Sequence, residues 1–152
     1  MRFVYYNVTE YEINMISICI ITKNENKNLE ECLRHIEKLK YEIVVVDTGS
    51  TDDSIATAKK YTDQVYFFSW CDDFSAARNF SISKASGDII IVIDSDEFIV
   101  EFDKAAVEKI FEQKEKVIGR ISIKETFGAN AEFGAVDHIN RVFSKKYYCC
   151  NR

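Results

Sequence analysis

The chain has 152 residues, of which 47% are hydrophobic and 13% are aromatic. This length suits one domain with a sizeable core, and this composition excludes a disordered polypeptide. The formal net charge of −5 argues against a nucleic-acid partner, because no basic surface is available to neutralise a phosphate backbone. Any phosphate-bearing ligand would therefore need local hydrogen-bond donors or a metal ion.

The cysteines and the apolar runs indicate the compartment. Five cysteines, an odd number without C-x-x-C spacing, fit a reducing environment; they are Cys19, Cys32, Cys71, Cys149 and Cys150. The longest apolar runs are too short to span a bilayer, and residues 1–14 show no basic-then-apolar pattern. We therefore predict a cytoplasmic protein and leave peripheral association with the inner face of the membrane open.

Residues 1–14 are interpreted as an N-terminal extension and residues 15–152 as one domain. Apolar runs alternate with segments of helical spacing along most of this domain. They predict strands at 16–22, 42–47, 64–70 and 89–93, and helices at 28–40, from the capping residues 50–52 to about 61, at 74–85 and at 103–113. Antiparallel strands are expected at 117–126 and 139–143. The alternation predicts an α/β fold with a mostly parallel sheet flanked by helices and a short antiparallel part near the C-terminus.

The strand at residues 89–93 ends in a group of carboxylates, Asp94, Asp96 and Glu97. In an extended chain Asp94 and Asp96 point to the same side. Concentrated negative charge is unfavourable unless a cation lies between the carboxylates, and hard oxygen ligands suit Mg²⁺ or Mn²⁺. The other interpretation is a solvated acidic turn.

Polar clusters follow three of the predicted strands, at residues 22–25, 47–52 and 94–97. Because ligands bind at the carboxyl ends of strands in open α/β sheets, we expect the clusters to line one crevice. In the second cluster, Gly49 permits a tight turn and Ser50 or Thr51 caps the next helix, while Asp47 is either part of this turn or an acceptor for a ligand. The cluster contains neither a P-loop nor a G-x-G-x-x-G motif.

Arg78 lies near the start of a predicted helix whose neighbouring residues, Ala76 and Ala77, are small. A cation is a poor match for the positive end of a helix dipole. The small neighbours leave room for close approach, so Arg78 is predicted to reach an anion such as a diphosphate. The other interpretation is a solvated arginine on the helix face.

Four motifs occur in order and closely resemble the nucleotide-sugar-binding half of glycosyltransferase family 2. They are Ile-Ile-Thr-Lys-Asn-Glu (20–25), Val-Val-Asp-Thr-Gly-Ser-Thr-Asp-Asp-Ser (45–54), Phe-Ser-Ala-Ala-Arg-Asn (74–79) and Ile-Asp-Ser-Asp-Glu (93–97). The resemblance is strong over residues 15–100 and fades through residue 143. The D-x-D-E form with Asn-Arg-Val-Phe (140–143) is most similar to bacterial lipopolysaccharide-core and peptide glycosyltransferases, which implies a role in cell-envelope glycan synthesis.

The resemblance implies a Rossmann-like GT-A fold and a set of site residues. The implied donor-binding residues are Thr22, Glu25, Asp47, Gly49, Ser50, Arg78, Asp94 and Ser95, and the implied ligands of Mn²⁺ or Mg²⁺ are Asp94 and Asp96. The implied reaction is inverting transfer of a sugar from a nucleotide-sugar donor, with UDP favoured, to a hydroxyl. The acceptor would be a glycan, a lipid-linked molecule or a peptide.

The catalytic base is where the chain departs from the family pattern. Glu125, Glu132 and Asp137 lie in roughly the right region without a matching motif, and we expect the chain to stop before the acceptor region is complete. Three other classes stay open: a sugar-nucleotide nucleotidyltransferase, a receiver-like signalling domain and an inactive nucleotide-binding module. The first would require a glycine-rich basic loop in place of residues 22–25.

Overall fold

The computed structural model describes residues 16–113, 116–127, 132–148 and 150. The predicted extension at residues 1–14 and Cys149 lie outside the described residues. The strands are β1 (Ile16–Thr22), β2 (Glu42–Asp47), β3 (Val65–Phe67), β4 (Ile89–Asp94), β5 (Glu97–Glu101), β6 (Ile118–Phe127) and β7 (Glu132–Ser144). The helices are α1 (Asn26–Ile36), α2 (Ser54–Ala58), α3 (Phe74–Lys84) and α4 (Lys104–Gln113), and α1 continues into a short 3-10 turn, Glu37–Leu39.

All strands form one seven-stranded sheet in the order β3-β2-β1-β4-β7-β6-β5. The first half is parallel, since β1 pairs with β2 on one side and with β4 on the other, and β2 pairs with β3. These central strands are rich in β-branched residues and buried on both faces, which is typical of parallel strands covered by crossover helices. The predicted α/β fold with a mostly parallel first part is confirmed.

The second half of the sheet is antiparallel and larger than the sequence predicts. β7 pairs with β4 and β6, and β6 pairs with β5. β7 runs over Glu132–Ser144, whereas the apolar pattern predicts only residues 139–143; residues 136–138 of the strand are exposed. β5 was not predicted, since it begins directly after a turn at residues 95–96 that the sequence presents as the end of β4.

Alternation along the central strands divides the core between two faces. One face packs on α1 and the other on α3. The first contains Ile18, Ile20, Val45, Ile91, Ile93, Leu29 and Leu33, and the second contains Cys19, Val44, Ile90, Val92, Ile82 and Phe143. Because β1, β2 and β4 run parallel, their carboxyl ends meet at one edge of the sheet. None of the described helices has the length and apolar character needed to cross a membrane.

Helix α4 shows where helical periodicity alone is misleading. Val107, Ile110 and Phe111 all fall on its apolar side and are expected to face inward. Phe111 is buried, but Ile110 is 48% exposed, so that expectation is wrong for Ile110. The apolar stripe of α4 is therefore only partly covered.

Ile91 and Ile110 provide a matched test of where the core lies. Ile91 is completely buried in β4, whereas Ile110 is half exposed. We expect Ile91→Ala to lower the free energy of unfolding by about 2–5 kcal/mol, because apolar contacts are lost and a cavity remains. Ile110→Ala should cost less than about 1 kcal/mol. Urea denaturation measures both variants, and equal losses would contradict the assignment of the core.

Candidate functional site

The carboxyl ends of β1, β2 and β4 border a cleft of about 240 Å³. Its lining combines carboxylates, hydroxyls and aromatic rings, and consists of Ile21, Thr22, Thr48, Trp70, Phe74, Asp94, Ser95 and Asp96. The structure thus brings together four of the residues singled out in the sequence, Thr22, Asp94, Ser95 and Asp96. This position at the edge of the parallel strands is where open α/β sheets bind ligands.

Asp47 lies at the end of β2 and is almost completely buried. Its carboxylate accepts hydrogen bonds from the backbone N–H of Gly49 at 3.0 Å and of Ser50 at 3.1 Å. Gly49 has a φ of +113°, a conformation that favours glycine. These bonds fit the interpretation of Asp47 as part of the turn. Two backbone donors do not use all the acceptor positions of a carboxylate, so Asp47 can still accept from a ligand.

The loops after β1 and β2 are joined by hydrogen bonds between side chains and backbone. The N–H of Asn24 donates to Ser50 Oγ at 2.8 Å, and the N–H of Thr51 donates to Asn24 Oδ1 at 2.7 Å. The carboxylate of Glu25 accepts from Asn28 Nδ2 at 2.7 Å. Ser50 and Glu25, both predicted to bind the donor, thus support the loops beside the cleft and are not part of its lining.

The acidic turn, residues 94–97, is not the continuous extended segment assumed from the sequence. β4 ends at Asp94, residues 95–96 form a turn, and β5 starts at Glu97. The turn still leaves Asp94 and Asp96 on the same cleft. Asp94 follows Val92 by two residues and so lies on the face of the sheet that packs on α3.

Arg78 reaches an anion, and that anion belongs to the protein. Its Nη2 atom lies 2.9 Å from Asp94 Oδ1 and 2.7 Å from Oδ2. Arg141 of β7 approaches the same carboxylate, with its Nη2 atom 3.6 Å from Asp94 Oδ2. The ion-paired hydrogen bonds from Arg78 are stronger than neutral ones and restrain Asp94, and Arg141 adds a second, longer ion pair.

Glu97 is a buried carboxylate behind the cleft. Its Oε2 atom accepts the N–H of Asp94 at 2.8 Å, and its Oε1 atom accepts from Arg141 Nη2 at 3.3 Å. Burial raises the pKa of Glu97 to about 7; the Asp94 N–H and Arg141 oppose this rise, while the charges of Asp94 and Asp96 add to it. The same three carboxylates, together with a larger effect of burial, raise the pKa of the Cys32 thiol on α1.

The sequence reasoning missed the structural roles of Glu97 and Arg141. Arg141 lies two residues before Phe143 on β7, and Phe143 is buried. The two side chains therefore share the inward face of the strand. An arginine on an inward-facing position requires a partner, and that pattern could have identified Arg141.

An aromatic wall, formed by Trp70 and Phe74, was also missed. Their rings meet edge-to-face with centroids 4.8 Å apart, and Trp70 Nε1 donates to Asp72 Oδ1 at 2.8 Å. Phe74 is 58% exposed at the cleft. The sequence pattern places Trp70 in the third strand, but that strand ends at Phe67. An exposed ring beside carboxylates is suited to packing against a flat or apolar part of a ligand.

Three buried polar atoms at this edge of the sheet have no hydrogen-bond partner within the described part of the chain. They are the hydroxyl of Thr22, Nε of Arg78 and Nη1 of Arg141. An unpaired buried polar atom costs about 1–3 kcal/mol. This edge therefore has hydrogen-bonding capacity that the described residues do not use.

Asp94 and Asp96 fit a divalent cation that arrives with a phosphate-bearing ligand. Across residues 16–113, 116–127, 132–148 and 150, no three His, Cys, Asp or Glu side chains come together as a metal cage. Mg²⁺ is usually held by one or two carboxylates and completes its coordination with phosphate oxygens and water. Two carboxylates on one cleft meet that requirement.

The candidates for a catalytic base are not brought to the cleft as far as the chain is described. Asp137 is exposed on β7, and its carboxylate accepts the N–H of His138 at 2.7 Å. The backbone of Glu125 pairs with Glu97 between β6 and β5. The side chains of Glu125 and Glu132 lie outside the described residues, so the role of either as a base stays a prediction.

The parallel half-sheet with crossover helices and an acidic turn at its carboxyl edge defines a GT-A type of fold. Residues 17–145 match the family described as Glycosyl transferase family 2. The chain belongs to this family, and the resemblance found in the motifs is confirmed.

The chain is also similar to known proteins and solved structures. The chain is 31% identical over 126 residues to a TPR repeat-containing protein of Synechococcus elongatus, covering 83% of this chain and 31% of that protein. It is 35% identical over 107 residues to glycosyltransferase GlyG of Streptococcus pneumoniae, covering 65% and 35%. Glucosyl-3-phosphoglycerate synthase of Mycobacterium tuberculosis, solved with Mn²⁺ and UDP-glucose, aligns with a TM-score of 0.50 and 28% identity over 56% of this chain and 34% of that one. The chain thus spans about a third of the length of these proteins.

Glu97 should make stability depend on pH. Its pKa in the folded chain is about 7, against an ordinary value of 4.5, so the folded state favours the neutral carboxyl. This contribution to stability is fully present below pH 4.5 and is lost as pH rises through 7. We expect the wild type to lose stability relative to Glu97→Gln across that interval.

Urea denaturation in EDTA at a series of pH values measures this difference. The control is Glu101→Gln, at the exposed end of the same strand, which should leave the pH dependence unchanged. Parallel pH profiles for the wild type and Glu97→Gln would show that the expectation is wrong.

Proposed function

We propose that this chain is the donor-binding portion of an inverting glycosyltransferase, which moves a sugar from a nucleotide-sugar to an acceptor hydroxyl with the help of Mn²⁺ or Mg²⁺. The observation that carries the proposal is the pair of carboxylates, Asp94 and Asp96, on a cleft at the carboxyl edge of the parallel strands. Membership of glycosyl transferase family 2 supports it. A UDP-sugar is the favoured donor, because a relative was solved with Mn²⁺ and UDP-glucose.

In this proposal Asp96, together with Asp94, would hold the cation. When bound, the cation would offset the negative charge that develops on the diphosphate leaving group. Arg78 keeps the Asp94 carboxylate oriented through two short contacts. Thr22 offers a buried hydroxyl with no partner among the described residues, which could hydrogen-bond the nucleoside part of the donor.

The nucleobase would bind beside the loops that follow β1 and β2. Asp47 would accept from the base with the lone pairs that Gly49 and Ser50 leave available. The loop contacts of Glu25 and Ser50 would keep this side of the cleft in place before the donor arrives. Preorganised polar groups lower the cost of ordering a site when a ligand binds.

The acceptor and the cellular setting stay at the level of the sequence predictions. A glycan, a lipid-linked molecule or a peptide would present the hydroxyl, which a carboxylate base would deprotonate. Glu125 and Asp137 remain weak candidates for that base. The proposed place is the cytoplasm or the inner face of the membrane, in bacterial cell-envelope glycan synthesis.

A second candidate function is a nucleotide-binding module without catalytic activity. One observation favours it: among the described residues that line the cleft, Asp94 and Asp96 are the only carboxylates. Both are assigned to the cation in the main proposal, which leaves no base at the cleft. A sugar-nucleotide nucleotidyltransferase is less favoured, since residues 22–25 contain no glycine-rich basic loop.

A thermal-shift panel tests donor binding. We expect Mn²⁺ with UDP or a UDP-sugar to raise the melting temperature by about 5–10 °C at a ligand concentration of about 100 Kd, because a ligand that binds only the folded state stabilises it by mass action. GDP and dTDP should give smaller shifts. The absence of a shift with every nucleotide would contradict the proposal.

Asp96→Ala tests the cation site. The substitution should abolish the part of the shift that depends on Mn²⁺, because a carboxylate ligand is lost, and should leave the shift by UDP in EDTA unchanged. Asp88→Ala removes an exposed carboxylate just before the other end of β4 and serves as the control. A full Mn²⁺-dependent shift in Asp96→Ala would remove Asp96 from the site.

A further inference from the structure

We infer that Arg141 is a positioning residue, which fixes the acidic turn through Glu97 and Asp94 and so sets the affinity of that turn for a cation. The inference rests on the proposed function. Arg141 lies on β7, in the antiparallel half of the sheet, and is separated by 44 residues of sequence from Glu97.

The first argument is geometric. One atom of Arg141, Nη2, lies 3.3 Å from Glu97 Oε1 and 3.6 Å from Asp94 Oδ2. The other oxygen of Glu97 accepts the backbone N–H of Asp94 at 2.8 Å. Arg141 therefore connects two sides of the turn, the carboxylate of its first residue and that of its last. These contacts restrain the backbone that carries Asp96 between them.

The second argument comes from the register of the sheet. The pairing between β4 and β7 runs from Ile89 opposite Ser144 to Ile91 opposite Val142. Arg141 is the next residue of β7, and β4 continues for three residues beyond Ile91. Arg141 therefore lies just past the last paired residues, toward the end of β4, where the acidic turn begins.

The third argument is electrostatic. The turn carries three carboxylates, and the side chain of Glu97 is only 5% exposed. A buried carboxylate that loses its cationic partner is strongly destabilising, and Arg141 supplies that partner. Arg78 pairs with Asp94, whereas Arg141 contacts both Asp94 and Glu97, which makes the two arginines different in role.

Positioning and simple charge neutralisation predict opposite results when Arg141 is removed. If Arg141 only added positive charge, its loss would make the turn more negative and tighten cation binding. If it holds the turn in place, its loss weakens cation binding. Substitution of a residue that orients a metal ligand costs roughly 10- to 100-fold in metal affinity.

The experiment measures Mn²⁺ affinity by isothermal titration calorimetry on the 152-residue chain saturated with UDP, together with UDP affinity in EDTA. We expect Arg141→Met to weaken Mn²⁺ binding roughly 10- to 100-fold and to leave metal-free UDP binding unchanged. Arg141→Lys, which keeps the charge, should recover part of the Mn²⁺ affinity. Arg120→Met removes an exposed arginine from the neighbouring β6 and should change neither affinity.

A double variant keeps the test decisive if a buried unpaired Glu97 prevents folding of Arg141→Met. Glu97→Gln with Arg141→Met removes both charges of the pair. We expect it to weaken Mn²⁺ no more than either single variant that folds, because both substitutions break the same connection. A Mn²⁺ affinity of the double variant well below that of Glu97→Gln would overturn the inference.

Three further outcomes would contradict it. Tighter Mn²⁺ binding by Arg141→Met would identify charge alone as the role of this residue. An equal loss of metal-free UDP affinity would identify a general structural role. Failure of the unmodified chain to bind UDP, with or without Mn²⁺, would overturn the proposed function itself. The unmodified chain is therefore measured before any variant.

Discussion

Three carboxylates at the end of a buried strand are the constraint on which this edge of the sheet depends. Burial on both faces fixes β4, so Asp94 cannot move away from the cleft without displacing apolar residues from the core. The charge must be offset locally, and Arg78 from α3 and Arg141 from β7 do so. The site is therefore assembled from three elements that packing holds together, and its geometry is a consequence of the core.

The other side of the cleft is held by a different kind of interaction. The loops after β1 and β2 contain few apolar groups, and short side chains bond to backbone groups across them, as Asn24 does with Ser50 and Thr51. Such bonds give irregular backbone a single conformation without a hydrophobic core. The acidic side of the cleft thus depends on ion pairs next to the core, and the loops beside its other side depend on a network of local hydrogen bonds.

The parts of the fold that could be predicted are those with a strong local pattern. The runs of β-branched residues identified β1, β2 and β4, and alternation with helices gave the parallel sheet. β5 and the first part of β7 could not be predicted, because their stability comes from pairing with neighbouring strands and their own sequence patterns are weak. The motifs brought Asp94 and Asp96 to attention, but the Arg141 contact connects residues far apart in sequence, and only the fold reveals it.

The antiparallel half of the sheet is consequently more than an extension of the parallel half. β7 covers the free side of β4, and Arg141 from the same strand contacts Glu97 behind the cleft. Without β7, Glu97 would keep its bond to the Asp94 N–H but lose its cationic partner, and a carboxylate in that position is stable only when paired or protonated. The pairing of β7 with β4 therefore also places the arginine that offsets the charge of Glu97.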